Sequence, residues 1–292
     1  RVSGMQGKFL SEQALENLKK SLGPSQFLAS IRETPYGKSF NNVSGEELWT
    51  QGEGRLEEDY METLEKLLSL IPEDDARQYR LLFTSRWDLT NLKMLVSTLN
   101  SSKRQVKPKF TSLGGVPKED FNKMLETRDL KKASRMLPEP YKTFLDETLG
   151  ETGGENTFQI NQLLQWRLLE LWMSELEGIP LEYAGLRVDC WNIIYLMRCT
   201  ANKIEPADGY IMEGKYFTQN DYTQYKKGGP GDLVSSLRHT PYQHVVAEYV
   251  KRDKSLSWLD QQLADIRRKT INQYCLQKPL SGYTLLKFTE EK

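Results

Sequence analysis

The chain has 292 residues, a length that predicts two or three folded units. With 38% hydrophobic and 27% charged residues, these units are predicted to be well solvated and largely helical. Its 40 Lys and Arg residues balance its 40 Asp and Glu residues, and the lack of a basic excess argues against a general nucleic-acid binder. No apolar stretch approaches the roughly 18 residues of a membrane span, and three cysteines favour a reducing, intracellular compartment.

The first hundred residues are predicted to form two short helices and then two long ones. Ser11 is a candidate N-cap for the first short helix, and the second covers about Ser25–Arg32 before a Thr-Pro dipeptide interrupts it. The polar, glycine-containing segment 39–54 is predicted to be a loop. Long helices are predicted at about 57–71 and 75–99, because apolar residues recur there at spacings of three and four.

The same order of elements follows in the rest of the chain. After a linker at 101–115, Pro117 suits the start of a short helix. A long apolar helix is predicted at about 157–176, closed by Gly178 and Pro180. A segment resembling the beginning of the chain then recurs at 214–218, and a further long helix is predicted at about 257–276.

One polar pattern occurs twice and marks the repeat. The pattern is Arg-x-Asp-x-x-Asn, where x is any residue, followed by an apolar helical run. It occurs in Arg86–Leu95 and again in Arg187–Leu196. The polar markers are Asp88, Asn91, Asp189 and Asn192. A Pro-Tyr pair precedes each long-helix region at a similar distance from the start of its unit, as Pro35–Tyr36, Pro140–Tyr141 and Pro241–Tyr242. Such recurrence predicts repeated helical modules.

The spacing predicts three units, at 1–104, 105–205 and 206–292. A third Asn would fall just beyond Lys292, so the third unit is expected to be incomplete. The Asp–Asn pairs admit two interpretations, a recognition surface repeated in each unit or a structural role. We favour the structural role, in which the amide fixes helix register and Asp occupies an N-terminal helical turn. A single active site would need such a pair only once.

The other residues that could bind a metal or carry out catalysis are weak candidates. His239 and His244 flank a proline and cannot share one helical face as paired metal ligands would. Cys190 and Cys199 are predicted to be small buried hydrophobic residues. Two basic clusters are interpreted as solvated helix faces or, alternatively, as contacts for acidic lipid headgroups or an acidic partner: Lys251–Lys254 and Arg267–Lys269.

Taken in order, these motifs resemble the C subunit of the archaeal and bacterial A/V-type rotary ATPases, which is related to the d subunit of the eukaryotic vacuolar enzyme. The resemblance covers essentially the whole chain. Besides the Asp–Asn pattern and its second copy, the residues that carry it are Arg1–Lys8, Thr34–Gly37 and Arg55–Glu57.

The resemblance implies an all-α protein of three pseudo-repeated units arranged as a funnel, without catalytic residues, cofactor or metal. It implies a rotor subunit at the cytoplasmic face of the membrane, with central-stalk subunits and the membrane proteolipid ring as partners. The subunit would transmit torque during ATP-linked transport of H⁺ or Na⁺, and its membrane association would be peripheral, through the ring. The alternatives are a helical scaffold outside a rotary ATPase and an enzyme with a cleft between repeats. Two poorly spaced histidines argue against the enzyme.

Overall fold

The computed structural model describes residues 10–101, 108–154, 156–252, 254–278 and 282–291. The segment Arg1–Lys8, which contributes to the family resemblance, lies outside these described residues. Within the described ranges the chain forms fourteen α-helices and two short 3-10 helices and contains no strand, so the all-α prediction is confirmed. Among these helices, none has both the length and the apolar character that crossing a membrane would demand.

Groups of two or three shorter helices are followed by one or two long helices along the chain. The long ones exceed the usual helix length in globular proteins, which is about 11 residues. In chain order the helices are α1 (Glu12–Lys19), α2 (Pro24–Arg32), α3 (Leu48–Leu68), α4 (Glu73–Asn100), α5 (Lys118–Glu126), α6 (Leu130–Ser134), α7 (Tyr141–Thr152), α8 (Thr157–Glu175), α9 (Gly178–Asn202), α10 (Gln219–Gly228), α11 (Pro230–Ser236), α12 (Gln243–Arg252), α13 (Leu256–Gln277) and α14 (Tyr283–Glu291).

The chain divides into two compact units, with boundaries that fall inside α8 and α14. The first unit comprises residues 1–164 together with 288–292, and the second comprises 165–287. This division does not test the boundaries predicted from the repeats, so the three-unit organisation stays a prediction.

The N-terminal part of the first unit packs around a small apolar cluster. The cluster joins α2, a 3-10 helix at Gly37–Phe40 and the start of α3. Arg32 closes the turn between them, because its guanidinium donates hydrogen bonds to the carbonyl oxygens of Phe40 and Val43. The buried members of the cluster are Leu28, Ile31, Tyr36, Phe40, Val43 and Leu48.

The predicted loop at 39–54 is partly wrong, because α3 begins at Leu48 and ends at Leu68. Ser44 and Glu47 stabilise the turn that leads into it: each side chain accepts a hydrogen bond from the backbone amide of the other residue. Gly52 is buried inside the helix, where an added Cβ would lie 3.0 Å from Leu48 Cδ1. Close packing therefore explains a glycine that had suggested a loop.

The other long helices follow the sequence pattern closely. α4, α8 and α13 begin and end within two residues of their predicted bounds. Gly178 and Pro180, expected only to close α8, instead lie in the first turn of α9. Proline is tolerated there because the first turn of a helix has no intrahelical acceptor for its backbone amides.

The core of the second unit is built around α9. Its apolar residues pack against α10, α11, α12 and α13 in one buried cluster that includes Ile193, Met197 and Leu263. Cys190 and Cys199 are buried within α9, as predicted, and the third cysteine, Cys275, is also buried.

Candidate functional site

The carboxylate of Asp88 ties three parts of the first unit together. Asp88 lies in the middle of α4 and is only 2% exposed. Its Oδ2 accepts hydrogen bonds from the amide of Gly115 at 3.0 Å and from the hydroxyl of Tyr141 at 2.8 Å. Its Oδ1 accepts a hydrogen bond from the amide of Val116 at 2.9 Å. We call this arrangement the first joint, and we call residues 108–117 the first strap.

Asp189 makes the same arrangement in the second unit. It lies in the middle of α9 with no exposed surface. Its oxygens accept hydrogen bonds from the amide of Tyr216 at 3.1 Å, the amide of Phe217 at 2.9 Å and the hydroxyl of Tyr242 at 3.1 Å. We call this the second joint, and residues 204–218 the second strap.

The two joints have the same spacing in the sequence. In both, the two amide donors lie 27 and 28 residues after the aspartate, and the tyrosine lies 53 residues after it. The first joint connects α4 to the first strap and the start of α7. The second joint connects α9 to the second strap and the residue just before α12. One local design therefore occurs twice in the chain.

The two asparagines hold the same straps one helical turn further along. Asn91 donates a hydrogen bond to the carbonyl of Thr111 at 2.9 Å and accepts one from its amide at 3.0 Å. Asn192 donates to the carbonyl of Met212 at 2.7 Å, and the sequence separation is 20 residues in both pairs. The Oδ1 atom of Asn192 is buried without a hydrogen-bond partner among the described residues, so the second pair is less complete.

A glycine permits the close approach of each strap to its aspartate. An added Cβ on Gly114 would lie 2.0 Å from Oδ1 of Asp88, and one on Gly214 would lie 2.0 Å from Oδ1 of Asp189. Both distances are far inside van der Waals contact. Any larger residue would therefore displace the strap or the carboxylate.

Glu57 adds a second attachment for the first strap. Its carboxylate accepts hydrogen bonds from the hydroxyl and the amide of Ser112, at 2.9 and 3.1 Å, and from the hydroxyl of Thr111. A salt bridge between Lys109 and Glu53 continues this contact with α3. The first strap is thus fixed to both long helices, α3 and α4.

Burial governs the protonation of both joints. It raises the pKa of Asp88, and it raises the pKa of Asp189 to about 6, although the surrounding hydrogen-bond donors act in the opposite direction. Burial and the neighbouring carboxylates also raise the pKa values of Tyr141 and Tyr242 well above their ordinary value. Both tyrosines therefore keep their protons and act as donors.

The raised pKa of Asp189 predicts a specific dependence of stability on pH. A carboxyl group whose pKa is higher in the folded state stabilises the fold at low pH, and this contribution disappears as the pH rises through about 6. We expect the Asp189 contribution to the free energy of unfolding to be larger at pH 5 than at pH 7.5, by on the order of 1 kcal/mol. Urea unfolding at both pH values would measure it. The Asp189→Asn variant should have a pH dependence smaller by this amount, and an unchanged dependence would contradict the assignment.

The structure brings together some of the residues predicted from the sequence. It joins Asp88 with Tyr141 and Asp189 with Tyr242. Pro140 and Pro241 directly precede these tyrosines, and Asn91 and Asn192 lie one turn from the aspartates. The expected location of the aspartates in N-terminal helical turns is wrong, because both lie mid-helix, where strap amides approach from outside the helix.

Pro35 and Tyr36 share local geometry with the third Pro-Tyr pair. The amide of Tyr36 donates to the Thr34 hydroxyl at 3.2 Å, and that of Tyr242 donates to the Thr240 hydroxyl at 3.3 Å. Tyr36 itself is buried in the cluster of α2 and α3. Sequence reasoning missed the amide donors and Glu57. The identical spacing of Asp and Tyr in the two copies was the available signal.

The two joints hold the backbone of the two straps in place against the long helices. In both joints the carboxylate oxygens are engaged by donors from the chain itself, an environment that orders a strap against a helix. Among the described residues, no group of three or more His, Cys, Asp or Glu side chains is arranged to hold a metal ion.

Comparison with known proteins connects this fold to one family. The family model described as "ATP synthase (C/AC39) subunit" matches residues 1–292. The C subunit of the A-type ATP synthase of Thermococcus onnurineus is 26% identical over 314 residues, covering 100% of this chain and 81% of the relative. The corresponding C subunit of Methanocaldococcus jannaschii is 22% identical over 308 residues, covering 98% of this chain and 72% of the relative. The chain therefore belongs to the C/AC39 family of ATP synthase subunits.

Proposed function

We propose that this chain is a non-catalytic rotor subunit of an A-type ATP synthase or ATPase, coupling the central stalk to the membrane proteolipid ring and transmitting torque between them. It would lie at the cytoplasmic face of the membrane and associate with it peripherally, through the ring. The similarity of the whole chain to the C subunits of A-type ATP synthases favours this role over a helical scaffold outside a rotary complex.

The similarity of the whole chain to these C subunits carries the proposal, and the repeated joint is compatible with it. A torque-transmitting subunit must resist shear wherever helices meet irregular segments, because a helix is stiff along its axis and a strap alone is not. Each joint fixes a strap to a long helix through two backbone amides and one tyrosine hydroxyl. Its occurrence in both units fits a mechanical requirement throughout the chain.

Isolation of the complex tests the assignment. We expect an affinity-tagged chain, expressed in a host with its rotary ATPase and extracted in mild detergent, to copurify with both central-stalk subunits and the proteolipid ring. Quantitative mass spectrometry would measure the recovery of each. Recovery of neither partner, from a chain whose fold is verified by circular dichroism, would contradict the rotor assignment and favour a scaffold outside the complex.

A coupling measurement tests the mechanical role of the joints. In reconstituted vesicles, Tyr141→Phe and Tyr242→Phe together should lower ion translocation per ATP hydrolysed, because each joint loses one hydrogen bond to its carboxylate. Tyr79→Phe, on α4 outside both joints, is the control for loss of a buried tyrosine hydroxyl. A double variant that assembles fully and keeps the same coupling ratio would contradict a torque-bearing role for the joints.

A further inference from the structure

A groove in the first unit has strongly exposed apolar side chains among its lining residues. It lies between the turn joining α1 to α2 and the first turns of α3, and its volume is about 540 Å³. Leu22 is 96% exposed and Trp49 is 76% exposed. Large apolar side chains left in water are unfavourable, and when grouped around a groove they are typical of binding surfaces. The main apolar lining residues are Leu22, Pro24, Phe27, Phe40, Trp49 and Leu56.

The α3 border of the groove is acidic. Between Gly45 and Leu56, the segment that borders the groove, the chain carries three acidic side chains and one basic side chain, although the chain as a whole is neutral. Glu53 lines the groove, and the exposed Glu46 and Glu47 lie just before Trp49 in the sequence. The border around Trp49 therefore favours a positively charged partner.

The α1 side of the groove changes the net charge around it little. Its basic residues next to the groove are Lys19, which pairs with Glu16 at 3.1 Å, and Lys20. On the α3 side, Arg55 pairs with Glu58 and Lys109 pairs with Glu53. These pairs neutralise Glu53 and Glu58 together with their basic partners, so the acidic excess at the groove comes from the exposed Glu46 and Glu47.

We infer that this groove binds an amphipathic helix of a partner protein, with an apolar stripe at i, i+3, i+4 and i+7 and with Lys or Arg beside it. The groove is larger than one side chain requires, which suits successive residues of a helical stripe. Leu22 and Trp49 line the groove and keep most of their surface exposed, and tryptophan is a frequent anchor of interfaces. The inference deepens the proposed function by giving one surface on which a partner protein of the complex docks, and it rests on that function for the identity of the complex.

Binding of two designed peptides tests this inference without assembling the complex. Both would be helical, about 18 residues long and identical in their apolar stripe, with Lys beside the stripe in one and Glu in the other. We expect fluorescence anisotropy to detect binding of the Lys peptide to the full chain and at least about tenfold weaker binding of the Glu peptide. Trp49→Ala should weaken binding of the Lys peptide at least about tenfold. Glu46→Lys should weaken it about threefold at low salt.

Matched variants distinguish binding at this groove from nonspecific binding elsewhere on the chain. Leu276→Ala removes another exposed apolar side chain, which is 83% exposed on α13, and Glu126→Lys makes the same charge change on α5. Neither should alter binding. Equal binding of the two peptides, or full binding by Trp49→Ala, would overturn the inference. Self-association of the chain that Trp49→Ala abolishes would also overturn it, because the occupant would then be a second copy. Failure here would leave the copurification result, and so the proposed function, unaffected.

Discussion

Replacing Asp189 with alanine is expected to lower the free energy of unfolding by about 3–5 kcal/mol, the largest effect of a single substitution outside the apolar core. Asp189 has no exposed surface, and its carboxylate receives hydrogen bonds from two amides and one hydroxyl. Alanine would leave all three donors buried without an acceptor and would also leave a small cavity. Each unsatisfied buried donor costs about 1–3 kcal/mol, and partial relaxation of the strap limits the total.

Urea unfolding of matched variants would measure this effect. Asp260→Ala removes an exposed aspartate from α13 in the same unit and should change stability by less than about 0.5 kcal/mol. Tyr242→Phe removes only one donor and should cost less than Asp189→Ala, because the carboxylate keeps its two amide partners. If Asp189→Ala were no more destabilising than Asp260→Ala, the second joint would have no structural importance.

The first joint provides an independent repetition of the experiment. Asp88 receives the same three kinds of hydrogen bond and is nearly as buried, so Asp88→Ala should cost a similar amount. Glu57 also holds the first strap, through Ser112 and Thr111. This second attachment should reduce the loss in free energy of unfolding. We therefore expect Asp88→Ala to be somewhat less destabilising than Asp189→Ala, although the two joints have the same sequence spacing.

The sequence predicted the long helices better than the segments between them. Apolar periodicity located α4, α8 and α13 to within two residues because their buried faces recur every three or four positions. It failed at the start of α3, where Gly52 and Gly54 suggested a loop and the stabilising pair of Ser44 and Glu47 was overlooked. Glycine lowers helix propensity, but the close approach of Phe40 from outside the helix overrides it here.

Only some of the residues of the candidate site could be predicted from the sequence. The pattern identified Asp88, Asn91, Asp189 and Asn192 because they repeat inside regular helices. Their partners lie in straps without periodicity, so no local pattern connected Asp189 with the amides of residues 216 and 217. The repeated distance from aspartate to tyrosine was present in both copies, yet only the fold reveals that it is a hydrogen bond and not a coincidence of unit length.

Gly214→Ala is expected to destabilise the protein by about 2–3 kcal/mol, because its Cβ would overlap Oδ1 of Asp189 at 2.0 Å and approach the carbonyl oxygen of Gly185 to 2.9 Å. Strap or carboxylate must move, and either movement weakens the hydrogen bonds of the second joint. Gly209→Ala is the matched control in the same strap, since a Cβ there meets nothing within 4 Å, and it should be nearly neutral.

A double-mutant cycle distinguishes this overlap from a general weakness of the strap. If the methyl group of Gly214→Ala is unfavourable because the carboxylate occupies its space, removing the carboxylate makes room for it. The double variant with Asp189→Ala should then be more stable than the sum of the two single losses predicts, by about 1–2 kcal/mol. Strictly additive losses would mean that the glycine and the aspartate act separately. A coupling of this size would place them in one joint, in which the small residue exists to let the strap reach the buried charge.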